Sequence, residues 1–155
     1  MTVSLDDRVR NLCESAETLN SVADRITKHI TRIENDLRKS GIGVPHTSKE
    51  SFYSRAINVH YDEHGQFLDC DCVDYHLGWL NGQDGWGFYW GQSIGERSEV
   101  PTFRLINAPR YIRVPAYAKL DTLLVELSEA VFEETEELAK ITASIPSGDG
   151  EEARL

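Results

Sequence analysis

Apolar residues recur along the first forty positions in alternating steps of four and three: Leu5, Val9, Leu12, Ala16, Leu19, Ala23, Ile26, Ile30, Ile33 and Leu37. This spacing predicts one helix over residues 4–39, about 50 Å long at ~1.5 Å per residue, with a single apolar stripe. Ser4 followed by Asp7 resembles a capping box at its start, and Gly41 with Pro45 supplies the stop. With Leu5 at heptad position d, the a positions are Val9, Ala16, Ala23, Ile30 and Leu37. The flanking Cys13, Ser15, Asn20 and Val22 lack the charged ladder of a specified two-stranded coiled coil. The stripe is therefore expected to lie first against the sheet or second helix of its own chain.

From Ser51 the period changes to two. Tyr53, Ile57, Val59 and Tyr61 share a face, DEHG at 62–65 marks a turn, and QFLDCDCVDYHLGWL forms a second strand. Asn81-Gly82 and Asp84-Gly85 mark the next reversal, WGFYW at 86–90 a third strand, and TFRLI at 102–106 a fourth, with Gly91 to Pro101 as loop. Asn107-Ala108-Pro109 opens a helical turn, and from Ala116 helical spacing returns at Leu120, Leu124, Leu127, Val131, Leu138 and Ile141. Glu134 interrupts that stripe. The prediction is a single α+β domain over residues 1–146. It has a long N-terminal helix, a three- to four-stranded antiparallel meander over about 51–106, and a helix over about 116–144. Both helices pack on one sheet face, and residues 147–155 form a flexible acidic tail.

Charge changes this picture where it is uneven. The formal charge is −10, and residues 121–155 set Lys140 and Arg154 against ten acids. Residues 1–40 are balanced. Residues 81–120 are the basic part, with Arg97, Arg104, Arg110, Arg113 and Lys119. The acidic excess argues against nucleic acid and suits a basic protein partner. No run of about 18 apolar residues exists to span a membrane. The N-terminus lacks a signal-peptide layout, and an odd count of three cysteines suits free thiols, so the chain is expected in the cytoplasm.

The cluster His60, His64, Cys70, Cys72 and His76 invites a zinc reading. An even-numbered turn at 62–65 would place Cys70 and Cys72 with Ile57 and Val59 on the apolar face, with His60 opposite. An odd-numbered turn would reverse that pairing, and a bulge or face switch is expected near Cys72. The C-x-C spacing also falls short of a structural zinc site, so the two thiols are read as core fillers, with no metal and no cofactor. Trp86, Phe88 and Trp90 share a strand face without nearby Lys or Arg and read as core. Arg110 and Arg113, three apart on a helical turn, are with Trp86 and Trp90 the candidate ligand-binding residues. Ser93 in GQSIG lacks the strand–elbow–helix setting of a hydrolase nucleophile, and no catalytic constellation is expected.

Two functions follow. The favoured one is a non-enzymatic interaction or regulatory protein, an acidic binding, inhibitor or chaperone-like module that self-associates, with a dimer expected. Its interface residues would be Leu5, Leu12, Ile26, Ile30, Ile33 and Leu37, with the unpartnered part of the stripe either near Ile26 to Leu37 or at the Leu5 end. The alternative is a small-molecule or nucleotide binder, or an enzyme, built on the Arg/Trp group.

Overall fold

The computed structural model describes residues 2–95 and 97–146. In order these are α1 (Leu5–Lys39), β1 (His46–Thr47), β2 (Tyr53–Tyr61), β3 (Phe67–Gly82), β4 (Gly85–Ile94), β5 (Arg97–Ser98) and β6 (Phe103–Arg104). A 3₁₀ turn (Leu105–Asn107), α2 (Arg110–Ala118) and α3 (Leu120–Ala143) complete the chain. The class is α+β, as the two periodicities predict. The acidic tail predicted over 147–155 lies outside the described residues.

The ends of α1 follow from its sequence. Ser4 Oγ accepts the Asp7 amide at 3.1 Å, the N-cap half of a capping box, and donates to the Asp7 carboxylate at 2.7 Å, so Asp7 bonds the cap hydroxyl where a Glu would bond the cap amide. At the other end Gly41 adopts φ +70°, the Ile42 amide donates to the Leu37 carbonyl and the Gly41 amide to the Arg38 carbonyl. That pair of bonds is a Schellman stop.

β3 is the central strand. Its 67–75 stretch pairs with β2, residues 78–79 with β1, and residues 73–82 with β4. The outer edge of β4 carries β6 at Tyr89–Trp90 and β5 at Ser93–Ile94. Val73, Tyr75, Leu77 and Trp79 of β3 join Phe88 of β4 in the core. Ile30 of α1, Leu105 of the 3₁₀ turn, Ile112 and Ala116 of α2, and Leu120, Leu123 and Leu127 of α3 close over them. The alternation read from WGFYW holds. Trp86 stacks on Trp79 at 6.0 Å between centroids, Phe88 meets Trp79 edge-on at 5.2 Å, and the Trp79 indole N–H donates to the Ile42 carbonyl.

Several details depart from the sequence-based expectation, among them the strand predicted over 102–106, which is only Phe103–Arg104 because Leu105 and Ile106 turn into the 3₁₀ segment. The segment predicted as one helix from 116 is two, because Pro115 lies inside α2 and the break comes at Lys119. Proline at the sixth helical position has no amide to donate to the Tyr111 carbonyl and crowds it, which costs α2 one bond of its ladder. β4 continues through Gly91 to Ile94 where a loop was predicted. The β2–β3 loop has five residues, since Tyr61 pairs with Phe67. An odd loop puts Cys72 opposite Ala56 and leaves Ile57 facing Asp71. Cys72 is exposed and Cys70 half-exposed, so neither thiol fills the core, and the bulge lies in β2 between Ile57 and His60, beside Asn58 at φ +49°.

The helices share one sense. Arg110 reaches Asn20, Tyr117 meets His29 at 2.7 Å, and Leu127 and Val131 line a cleft with Leu37 and Ile42. Positions rise along α1 as they rise along α2 and α3. Everything in α1 from Leu5 to Val22 except half-buried Asp7 is exposed, as is everything in α3 after Val131. The two helices therefore overrun the body at opposite ends.

Candidate functional site

The stripe of α1 divides at Ala23. On its C-terminal side Ile30 has no accessible surface, and Ile26, Ile33 and Leu37 are half-buried against the core. On its N-terminal side Leu5 is 76% exposed, Leu12 70%, and Val9, Leu19 and Val22 about half. Of the six residues expected at an interface, Leu5 and Leu12 are thus free for another chain, while the other four are engaged in cis. Capping, helix propensity and a continuous 4–3 spacing hold the free half helical, yet among the described residues none covers it. The flanks carry Asp6, Cys13 and Asn20 on one side and Arg8, Ser15 and Val22 on the other. Arg110 of α2 stands at the root of the free half, its Nη1 donating to Asn20 Oδ1 at 3.0 Å.

The predicted ligand-binding group is dispersed over different neighbours. Arg110 faces Asn20, while Arg113 turns inward and donates to the Ala108 and Ile106 carbonyls, stopping the 3₁₀ turn. Trp86 lies on Trp79 beside the end of α1, and Trp90 packs between Tyr75 and Phe103. Ser93 hydrogen-bonds His76 at 3.1 Å. The chemistry of the hairpin is equally quiet. Its desolvation, then the neighbouring Cys72 and the aspartates, push the Cys70 thiol up, so it is a poor nucleophile at neutral pH. Among the described residues no group of three or more His, Cys, Asp or Glu is placed to hold a metal ion. Elemental analysis of purified protein should find no stoichiometric zinc. One equivalent per chain would mean that Cys70, Cys72 and the nearby histidines do converge.

The cluster that sequence reasoning missed is Glu34 with Arg38 and Arg104. Glu34 is 1% exposed, and its Oε2 accepts from Arg104 Nη2 and Arg38 Nη2, both at 2.7 Å. Burial pushes its carboxyl above the ordinary 4.5, against the downward pull of Arg104 and then Arg38. Arg38 Nε also donates to the Trp86 carbonyl at 2.6 Å, on the part of β4 that neither β5 nor β6 covers. Arg104 lies 5.4 Å over the Tyr89 ring, and any Cβ at Gly87 would overlap its guanidinium. Among the described residues Glu34 Oε1 and Arg104 Nη1 have no hydrogen-bond partner. Glu34 and Arg104 are closed off from solvent, while Arg38 is partly exposed and lines a cleft with Asp84 and Trp86. The cluster clamps α1 to the edge of the sheet. The one sequence signal available was the i,i+4 spacing of Glu34 and Arg38.

Among the described residues no helix is long and apolar enough to cross a membrane. No family model matches the chain, and no curated protein or solved structure is significantly similar to it.

Proposed function

We propose that this chain is a non-enzymatic protein-interaction module that self-associates through the free half of α1. One observation carries the reading: an apolar stripe in unbroken heptad register, of which one half is buried in cis and the other, from Leu5 to Val22, is left in water. Full burial of each such side chain is worth about 1.5–3 kcal/mol. Ten of them, five from each copy, stand about half or more exposed in the single chain, so burying them together opposes an association cost of order 10 kcal/mol. The free thiols suit the cytosol.

The far end of the body is the surface we assign to a basic protein partner. There α3 and the turn after it expose Leu138, Ile141 and Ile145 along one side, with Phe132 on the other, among Glu129, Glu133, Glu134, Glu136 and Glu137, with Lys140 alone in opposition. Two copies of that face would repel each other, whereas a basic amphipathic segment would meet both its charge and its apolar residues. Native mass spectrometry across the micromolar range tests the main reading. A dimer that dissociates on dilution is expected, and a monomer at the highest concentration would overturn it.

A further inference from the structure

We infer that the second copy binds α1 antiparallel, in the one register that sets residue i opposite residue 28 − i, so that the two-fold axis passes beside Cys13 and Glu14. This inference rests on the self-association proposed above and specifies its geometry.

The first argument is steric. From Ala23 onward the body sits on the stripe's own face of α1, where Ile30 has no accessible surface. A parallel partner would present its stripe to the same face from the same end. Its residues 23–39, and the body they carry, would then have to occupy the volume of the first body. An antiparallel partner places the two bodies at opposite ends of the joined helices.

The second argument is register. Antiparallel packing sets a positions against d positions, so the residue numbers in facing layers sum to 21, 28 or 35. A sum of 35 drives Leu5 onto Ile30, which is already covered. A sum of 21 leaves Leu19 and Val22 in water. A sum of 28 pairs Val9 with Leu19 and Leu12 with Ala16, each twice by symmetry. It also brings Leu5 to Ala23, where the stripe passes under its own body. The midpoint of the exposed stretch, between Leu5 and Val22, falls within about half a residue of Glu14, on which this register is centred. Ala16 facing Leu12 allows the helices to approach closely, and the paired stretch is about 28 Å long at ~1.5 Å per residue.

The flanks agree with this placement. On one side Asp6 of the second copy comes beside Asn20, where Arg110 already rests, so a carboxylate meets a guanidinium. On the other side the stem of Arg8 covers Val22. Cys13, exposed in the single chain, faces its own copy across the axis.

The test uses the full chain with Cys70→Ser and Cys72→Ser, leaving Cys13 as the only thiol. Mild oxidation is expected to give a Cys13–Cys13 covalent dimer. A second arm adds Cys13→Ser and mixes a copy carrying Asp6→Cys with a mass-tagged copy carrying Asn20→Cys. The expected product is the 6-to-20 crosslink between unlike copies, in excess over like-with-like products. Light scattering of the reduced proteins runs alongside. A dimer that yields only 6-to-6 and 20-to-20 products would overturn the antiparallel register while leaving self-association standing. A dimer with no crosslink in either arm would place the contact elsewhere. A monomer throughout would remove the underlying reading itself.

Discussion

Leu12→Glu is expected to weaken self-association at least about 100-fold while leaving the fold intact. Leu12 is 70% exposed in the single chain, so the substitution removes no packing within it. In the dimer the residue is buried twice, once from each copy. Losing about 1.5–3 kcal/mol at each position gives 3–6 kcal/mol, which is a factor of about 100 or more. The charge adds desolvation to that loss. Sedimentation equilibrium on the variant and the unaltered chain measures the effect, and thermal unfolding of the variant at low concentration checks the fold. An unchanged dimer would clear Leu12 of any role. Ile30→Glu provides the contrast. The same chemical change on the same stripe, at a residue with no accessible surface, is expected to prevent folding altogether.

Glu34→Ala is expected to destabilise the fold by about 3–5 kcal/mol, because it leaves Arg104 buried beneath α1 without its counter-ion. Urea unfolding reads this directly. The loss should belong to the unpaired charge and not to any special worth of the ion pair. Glu34→Leu combined with Arg104→Met is therefore expected to recover most of it, since well-packed apolar replacements of buried pairs are often neutral. If the double variant is as unstable as the single one, the clamp contributes through its geometry on β4 instead. The pH dependence has a definite sign. Because the folded carboxyl titrates above its ordinary 4.5, the folded state holds that proton more tightly than the unfolded chain. Glu34's contribution relative to Glu34→Gln is then fully present below the ordinary value and declines as pH rises through the raised one.

Much of the fold could be read from spacing alone. The 4–3 steps of α1, the period-two alternation at Val73, Tyr75, Leu77 and Trp79, and the Asn81 to Gly85 reversal each reported a local geometry, and each is present. What spacing could not report was extent. The heptad is as regular at Leu12 as at Ile33, so nothing in it distinguishes the half of α1 that finds a sheet from the half that overruns it. That difference is set by how far α2, α3 and the sheet reach along the helix. The parity of Cys70 and Cys72 failed for a different reason. Asp62 Oδ1 accepts both the His64 and Gln66 amides, and the Asp62 amide returns to the Gln66 carbonyl, drawing a fifth residue into a turn that its Gly signal marked as four. The Glu34 cluster was hidden because Glu34 sits among polar helix residues and Arg104 in a basic stretch 70 positions away. Only the closed fold makes them neighbours.

The shared sense of the three helices has a consequence for reach. Each body carries its free α1 half at one end and its acidic α3 face at the other. Two copies joined through α1 would hold their α3 faces outermost, at the two extremities of the assembly and pointing away from each other. Such an assembly is a bivalent rod: one compact partner could occupy one extremity only, whereas a partner presenting repeated basic segments could be held at both and gain the avidity of an intramolecular second contact.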